Sequence, residues 1–450
     1  MGEVKSYELA DFDKMGFTKS VKIVMFYEAP ATVDSKTLIL SLQEGIRNTT
    51  RQLPFIAGNL QFNESGKLCS VTTPESQVEI NVRHFDSTEC EPFSVLAEGS
   101  FSPKDLDLTR FLPEEPVGKH PVCIIQLSVL EGGLTLGLRL NHAAGDWTSL
   151  DTCLSLICQS TKAHLEGVPM PTYTPDLNRA PFNTPAPDPS ITRQDQLAKL
   201  PLFSVIEKSQ FKLNPPPRCQ ASIYRISEPT IQHLKAQCLP HLTGVEYISS
   251  YDCISALIWR TLTRAHIHLH PEKARATTRF VHPIDIRTRD PEHKTSPRYF
   301  GNAVIGTLAG PVPAQTLVAD SETPCGLAIA ASLIRQSTHK VDLSSFGAMT
   351  GLLASLSPTE TLSPNADFAD MDLFMNTWYS GSAERYDLGD GVVPAAVRVH
   401  AGMPGNVASI LPNFSRGGPR VFDVYVQTAI EEQEVLWRDG EFLRYFEYVA

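Results

Sequence analysis

Prolines are concentrated in one stretch near the middle of the chain. Eleven of the 34 prolines fall at residues 169–217, among them the run Pro215-Pro216-Pro217. Proline lacks the backbone N–H and fixes φ, so such a segment is stiff, extended and poor in helix. A segment of this kind suits a long crossover between two domains. The sequence therefore predicts a first domain at residues 1–170, a connector at 171–217 and a second domain at 218–450.

Length and composition agree with this division. A chain of 450 residues exceeds what one hydrophobic core usually organises. Its 42% apolar and 20% charged residues are typical of a soluble globular protein. The net charge of -11 repels polyanions, which argues against nucleic acid as a partner. Nine scattered cysteines without a CxxC pair predict reduced thiols, and no segment is apolar for long enough to span a bilayer. We therefore expect a cytoplasmic protein.

Apolar periodicity predicts helices and strands in both halves of the chain, without an internal repeat. One of the helices begins at Ser249, where Asp252 three residues later completes a capping-box pattern. This mixture predicts an α/β or α+β fold class. The other expected helices are at residues 38–53, 147–165 and 430–448, and the expected strands are at 279–284, 303–308, 395–399 and 421–426.

Residues 122–142 predict a β-hairpin that ends at a histidine. Glu131-Gly132-Gly133 forms the turn, and in the second strand leucines alternate with smaller or polar residues, which indicates one buried face. His142 has the parity of the leucines, so its imidazole is expected to point inward. A neutral imidazole can take a proton from a hydroxyl, which makes His142 the candidate catalytic base. Asp146 either orients that imidazole or caps the following helix.

Two motifs of this sequence resemble the signatures of a known enzyme family. His142-Ala143-Ala144-Gly145-Asp146 and Asp387-Leu388-Gly389-Asp390-Gly391 are similar to the HxxxD and DFGWG motifs of the BAHD acyltransferases. The overall pattern most resembles the fungal branch, which includes trichothecene O-acetyltransferases. The sequence departs from the family at Trp147, where a glycine often stands, and at Leu388 and Asp390. Further segments that follow the family's order are Leu53-Pro54-Phe55, Ser250-Tyr251-Asp252, Asp285-Ile286-Arg287, Tyr299-Phe300-Gly301-Asn302 and Asn376-Thr377-Trp378.

The resemblance implies a fold and a reaction. The fold would be the two-domain architecture of chloramphenicol acetyltransferase, with the active site in a channel at the domain interface. His142 would deprotonate an acceptor that attacks the thioester of an acyl-CoA. Acetyl-CoA is the donor that the resemblance favours, and the acceptor would be a hydroxyl of a secondary metabolite such as a terpenoid or a polyketide. CoA would act as cosubstrate, with neither a bound cofactor nor a metal.

The resemblance also implies roles for residues outside the first motif. Asp146 would be chiefly structural, and Arg287 would pair with Asp387, while Gly389 and Gly391 serve a tight turn. Asn376, Thr377 and Trp378 would face the acceptor. CoA would meet Ser249, Ser250 and Asp252 at a helix start and Gly301 and Asn302 at a turn. Its 3'-phosphate would need a basic residue, for which the candidates are Lys273, Arg275 and Lys294.

Several alternatives remain open on the sequence alone. Trp147 either narrows the site or packs in the core. His266, His268 and His270 form an HxHxH run that could share a zinc ion, although a solvated helix end is the simpler interpretation. Acylation of an amine is a second possible reaction. A protein of the same fold that binds small molecules without catalysis is a third possibility. The acyltransferase is expected to be a monomer.

Overall fold

Two large β-sheets organise the molecule. The structure is a computed structural model, and it describes residues 3–29, 34–186, 188–212, 214–289, 295–319, 325–379, 383–399, 403, 405–414 and 419–450. The strands of these ranges, in chain order, are β1 (Lys5–Glu8), β2 (Ser20–Glu28), β3 (Asn59–Phe62), β4 (Leu68–Thr72), β5 (Glu79–His84), β6 (Cys123–Leu130), β7 (Gly133–Asn141), β8 (Phe203–Glu207), β9 (Cys219–Ser227), β10 (Thr277–Asp285), β11 (Val304–Pro313), β12 (Glu360–Pro364), β13 (Leu373–Thr377), β14 (Ala396–Val399), β15 (Val407–Leu411), β16 (Val421–Ala429) and β17 (Glu447–Tyr448).

Helices lie between these strands in both halves of the chain, so the structure is the mixed α/β arrangement that the sequence predicts. The α-helices of the described ranges are α1 (Ser35–Gln52), α2 (Phe93–Glu98), α3 (Trp147–Glu166), α4 (Arg193–Ala198), α5 (Glu228–Cys238), α6 (Ser250–Leu269), α7 (Ala314–Val318), α8 (Cys325–His339), α9 (Leu343–Ser355), α10 (Ile430–Leu436) and α11 (Phe442–Tyr445). Within the described residues, no helix combines the length and the apolar character that a membrane crossing requires.

The strand order shows how the two halves of the chain are joined. The first large sheet has the order β14-β2-β7-β6-β5, and the second has the order β11-β10-β13-β15-β16-β9-β17. Strand β14 comes from the second half of the chain, yet it pairs antiparallel with β2 at the edge of the first sheet. Residues 218–450 therefore contribute one strand to the first sheet. The boundaries at 170 and 217 remain a prediction.

The hairpin that carries His142 is confirmed, since β6 and β7 pair antiparallel across a turn at which Gly132 has φ of 76°. The prediction that β7 has one buried face is wrong, because all nine of its residues are buried. Its leucines pack in the core that also contains residues of α1 and α3. The opposite face is covered by the chain near Phe111, so closely that a Cβ at Gly137 would lie 1.9 Å from the Phe111 carbonyl oxygen.

One other expectation needs correction. The predicted helix at 430–448 ends at Leu436, and the short α11 and β17 follow it. The chain turns here because Asp439 accepts a hydrogen bond from the backbone N–H of Phe442 and pairs with Arg264. The connector contains one short helix, α4, which starts at a capping box of Thr192 and Asp195, and the strand β8, which pairs with β12.

Candidate active site

The backbone around His142 is fixed by the N-terminal segment. The strand β7 ends at Asn141, whose side-chain oxygen accepts a hydrogen bond from Ala143 N at 3.0 Å. His142 N donates to Lys19 O at 2.8 Å. Gly16 allows this close approach, because a Cβ there would lie 2.5 Å from the His142 carbonyl carbon. The loop that presents the imidazole is therefore held on its backbone side as well as by β7.

The His142 imidazole is half-buried and bonded at one nitrogen. Its Nδ1 lies 3.1 Å from Asn302 Oδ1, and Asn302 Nδ2 donates to the His142 carbonyl oxygen at 2.8 Å. Within the described residues, Nε2 has no hydrogen-bond partner. A ring whose Nδ1 donates and whose Nε2 is unoccupied can accept a proton at Nε2.

Asp13 accepts hydrogen bonds from Asn302, on the side of Asn302 that faces away from the imidazole. Its carboxylate is 1% exposed and accepts from Asn302 Nδ2 at 2.8 Å, from Asn302 N at 3.3 Å and from Ala10 N at 2.8 Å. Burial raises the pKa of the Asp13 carboxyl, and the nearby Arg179 guanidinium partly offsets that rise. Asp13 could not be predicted from the sequence, because a short polar segment near the N-terminus gives no sign of a contact with residue 302.

Asp146 is turned away from the imidazole and into a buried ion pair. Its two carboxylate oxygens lie 2.9 and 3.0 Å from Arg287 Nη1 and Nη2, and they also accept from the backbone N–H groups of Ser149 and Ala303. Both side chains of the pair are at most 3% exposed. Among the described residues, no contact of this carboxylate reaches His142. The geometry supports a role for Asp146 in capping α3 and fixing the loop.

Arg287 joins this loop to the turn that carries Asn302. Besides Asp146, it donates to Gly301 O at 2.8 Å, to Tyr299 O at 3.1 Å and to Asp285 Oδ2 at 2.9 Å. Burial alone would lower the pKa of Arg287, but the Asp146 and Asp285 carboxylates outweigh burial and raise it. Arg287 is therefore a buried cation whose charge is matched by two carboxylates.

The pairing of Arg287 with Asp387 is wrong. Asp387 lies 2.8 Å from Lys162 Nζ and accepts from Gly389 N at 2.9 Å. Asp146 caps the first turn of α3, whereas Lys162 is in its last turns, and the 16 residue steps from one to the other correspond to about 24 Å of helix. The two carboxylates thus sit at opposite ends of α3, and only Asp146 is within reach of Arg287.

The second motif forms a tight turn against α3. Gly389 and Gly391 have φ of 120° and 75°, which glycine adopts without strain, and Asp390 has φ of 51°, in the left-handed region that aspartate enters more readily than most residues. The buried Tyr386 just before the motif donates its hydroxyl to Asp151 on α3. These contacts are those of a structural loop that braces the helix following His142.

The segment predicted to face the acceptor lies at the end of β13. Trp378 follows the strand, and its ring lies 4.9 Å from that of Trp147, with an angle of 35° between the ring planes. Both indoles are half-buried. Asn376 is half-buried and Thr377 is exposed. The structure thus brings Trp378 next to the first residue of α3, five positions beyond His142.

The residues predicted to meet CoA are largely engaged in internal contacts. Ser249 and Asp252 form the capping box of α6, and the buried Asp252 pairs with Arg335, whose Nε lies 2.8 Å away. Gly301 and Asn302 are held by the bonds described above. Ser250 is half-buried. None of this tests contact with CoA, which stays a prediction for all five residues.

The candidates for the 3'-phosphate differ in their availability. Lys273 forms an ion pair with Asp370. Arg275 is exposed. Lys294 lies outside the described residues. Of the two described candidates, Arg275 is the more accessible to a phosphate.

The HxHxH run is helical, so its three rings do not share one face: the His266 and His270 rings lie 4.8 Å apart, whereas His268 is about 200° around the helix from His266. His266 and His268 lie within α6 and His270 follows its last residue. His266 Nδ1 lies 2.6 Å from Glu432 Oε1 and its Nε2 lies 3.0 Å from Asp370 Oδ1. Within the described residues, no group of three or more His, Cys, Asp or Glu side chains could hold a metal ion. His266 is instead one cation of an ion-pair cluster with Asp370, Glu432 and Lys273.

This cluster predicts a dependence of stability on pH. Burial would lower the pKa of His266, but Asp370 and Glu432 raise it to about 9. Because the folded-state pKa exceeds the ordinary value of about 6.5, the stabilisation is complete below pH 6 and is lost as pH rises through 9. We expect His266→Gln to reduce the free energy of unfolding by on the order of 3 kcal/mol at pH 6, with little difference from wild type near pH 10. Urea titrations at both pH values measure this.

The exposed His268 on the same helix provides the matched control, since His268→Gln should leave stability unchanged at either pH. If His266→Gln reduces the free energy of unfolding equally at pH 6 and pH 10, packing and not charge accounts for the effect, which contradicts the prediction.

A cavity of about 620 Å³ lies beside β10 of the second sheet, but His142 is not among its lining residues. Its lining includes Lys212, Arg279, Asp367 and Asp372. Arg279 and Asp285 have the same parity on β10, and six residues of strand separate them by about 20 Å. Asp285 marks the His142 end, because its Oδ2 accepts from Thr148 on α3 at 3.1 Å. The cavity therefore lies near the end of β10 that is remote from His142.

The family of the chain is identified by a match that covers most of its length. The family model described as "Transferase family" matches residues 3–427, and the chain belongs to this family, the BAHD acyltransferases.

Comparison with individual proteins refines this assignment. The chain is 20% identical over 456 residues to the trichothecene 3-O-acetyltransferase TRI101 of Fusarium sporotrichioides, covering 95% of this chain and 94% of that protein. The crystal structure of that enzyme in complex with coenzyme A and T-2 superposes with a TM-score of 0.79 at 18% identity, covering 99% and 100% of the two chains. This likeness confirms the predicted two-domain α/β fold.

Other relatives are longer than the part that matches. The chain is 26% identical over 367 residues to the enoyl-CoA isomerase/hydratase claC of Penicillium crustosum, covering 76% of this chain but only 39% of that protein. It is 24% identical over 345 residues to acetyltransferase FGR3 of Gibberella zeae, covering 72% of this chain and 66% of that protein. The chain thus spans less than two thirds of the length of either relative.

Proposed function

We propose that the chain is an acyl-CoA-dependent O-acyltransferase with His142 as the general base. The observation that carries this proposal is the state of the imidazole: Nδ1 is bonded to Asn302, while Nε2 has no partner within the described residues. The ring sits between the loop fixed by Asp146 and the turn of Asn302, so its orientation is set before a substrate binds. The structure of TRI101 with coenzyme A supports an acyl-CoA as the donor.

The reaction follows from this geometry. Nε2 of His142 takes the proton of the acceptor hydroxyl as the hydroxyl oxygen attacks the thioester carbonyl carbon. The resulting tetrahedral intermediate collapses with cleavage of its carbon–sulfur bond. The imidazolium then gives its proton to the departing CoA thiolate, which leaves an ester, free CoA and a neutral His142.

Acetyl-CoA is the proposed donor, and a hydroxyl of a secondary metabolite such as a terpenoid or a polyketide is the proposed acceptor. The support comes from relatives, because TRI101 is a 3-O-acetyltransferase of trichothecenes whose structure contains coenzyme A and T-2. We further propose that CoA contacts the start of α6 and the turn at 301–302, and that the protein acts as a cytoplasmic monomer.

A direct assay tests this function. Purified protein is incubated with acetyl-CoA and a panel of terpenoid and polyketide alcohols, together with matched amines, and release of the CoA thiol is followed. We expect transfer to at least one alcohol and slower transfer to its amine analogue. Faster transfer to amines would instead assign N-acylation. Tight binding of acetyl-CoA with no transfer to any panel member would favour a binding protein of this fold.

The indole pair predicts where the acceptor binds. The rings of Trp147 and Trp378 pack against each other at a tilt beside the His142 loop, and loss of an aromatic partner typically costs about 0.5–1.5 kcal/mol beyond the lost buried area. We expect Trp147→Ala to raise KM for the acceptor about 3- to 10-fold and to leave KM for acetyl-CoA unchanged.

The control is Trp437→Ala, which changes a tryptophan at the C-terminal end of α10, outside the proposed site, and should alter neither KM. An increase confined to KM for acetyl-CoA in Trp147→Ala would place the indole pair on the donor side and contradict the prediction.

A further inference from the structure

Three side chains connect the N-terminal segment to the reacting nitrogen. Asp13 lies in a short 3-10 helix at Phe12–Gly16, and it is bonded to Asn302, which is bonded in turn to His142. Asp13 is 1% exposed and Asn302 is 4% exposed. Asp13 is therefore not placed to meet a substrate directly, and its contacts with Asn302 are shielded from water.

The hydrogen bonds at Asp13 determine how the Asn302 amide is oriented. An ionised carboxylate only accepts hydrogen bonds, and three N–H groups point at this one, from Ala10 N, Asn302 N and Asn302 Nδ2. Rotating the amide by 180° would place its oxygen against both the carboxylate and the His142 carbonyl oxygen. Both contacts would be repulsive, so the amide nitrogen must face Asp13.

The oriented amide in turn determines the protonation of the imidazole. With Nδ2 directed to Asp13, Oδ1 faces His142 Nδ1 at 3.1 Å. An amide oxygen accepts only, so Nδ1 must carry the hydrogen, and in the neutral ring Nε2 then carries the lone pair. The opposite tautomer would set a lone pair against a lone pair at Nδ1 and would leave no base at Nε2.

We propose that Asp13 is a positioning residue which, through Asn302, holds His142 in the tautomer with hydrogen on Nδ1 and the basic lone pair on Nε2. The consequence for catalysis rests on the proposed function of His142, whereas the tautomer itself does not. The buried carboxylate acts at a distance of two hydrogen bonds and does not touch the reacting atoms.

The tautomer is measured by nitrogen-15 NMR on uniformly labelled full-length protein without ligand, with the His142 signals assigned by comparison with His142→Gln. In the wild type we expect the Nδ1 shift of a protonated nitrogen and the Nε2 shift of a bare one. In Asp13→Asn the side-chain amide can donate to Asn302 and permit its rotation, so we expect signals of the Nε2–H tautomer. A wild-type ring protonated at Nε2 would overturn the proposal.

A rate measurement complements the spectrum. Hydrolysis of acetyl-CoA, in which water replaces the acceptor, needs the same base and no knowledge of the natural acceptor. We expect Asp13→Asn to lower kcat about 10- to 100-fold with KM for acetyl-CoA unchanged, the range that one charge-assisted hydrogen bond corresponds to. Wild-type kcat together with a wild-type tautomer in Asp13→Asn would also overturn the proposal.

Asp11→Asn is the matched control. Asp11 lies just before the same 3-10 helix and pairs with Lys14 and Lys67, so the variant loses a carboxylate from this segment while leaving Asn302 alone. It should show the wild-type tautomer and kcat. If Asp13→Asn does not fold, Asn302→Ser provides the same two readouts by removing the acceptor at Nδ1. An unchanged rate in His142→Ala would refute the proposed function while leaving the result on the tautomer intact.

Discussion

Arg287→Ala is expected to reduce the free energy of unfolding by about 3–5 kcal/mol, the usual cost of removing one member of a buried ion pair. The substitution leaves the Asp146 carboxylate, which is 2% exposed at its side chain, without its bidentate cation. It also removes the hydrogen bonds to the carbonyl oxygens of Tyr299 and Gly301. Equilibrium unfolding in guanidinium chloride measures the change.

Arg298→Ala serves as the control for this prediction, since Arg298 lies on the same segment but is exposed, and surface substitutions usually change stability by less than about 0.5 kcal/mol. An Arg287→Ala variant whose unfolding free energy stays within 1 kcal/mol of wild type would contradict the structural role given to the Asp146 pair. Its loop would then need some other support.

His142→Ala is expected to lower kcat for acetyl transfer by about 10²- to 10⁴-fold, the usual contribution of a positioned general base. Stability should change little, because the imidazole is half-buried and makes one side-chain hydrogen bond, to Asn302. KM for acetyl-CoA should also be unchanged, since a base that acts only in the transition state contributes to kcat. Steady-state rates of CoA release give both parameters.

Local pattern was enough to predict the elements that surround the site. Alternating leucines identify β7 up to Asn141, and the spacing from Ser249 to Asp252 identifies the start of α6. These features depend on neighbours in sequence, which propensity and capping describe well. The error at residues 430–448 has a long-range cause, since Arg264 on α6 fixes Asp439 in the turn that ends the helix.

The ion-pair and hydrogen-bond partners of the charged residues could not be predicted from the sequence. Asp146 and Asp387 both precede structured segments, and nothing local shows that Arg287 selects the first and Lys162 the second. The same holds for Asp13, which meets Asn302 across 289 residues of chain. Strand β14 joins the first sheet although it follows most of the second. Such contacts are decided by tertiary packing, which one sequence does not specify.

The central claim is that Nε2 of His142 removes the acceptor's proton. It is tested most directly by the single-turnover rate of CoA release from acetyl-CoA in wild type, in His142→Ala and in the control His164→Ala, which removes an exposed histidine on α3. We predict a loss of about 10²- to 10⁴-fold for His142→Ala and wild-type rates for His164→Ala. A folded His142→Ala variant that releases CoA within threefold of the wild-type rate would contradict the claim.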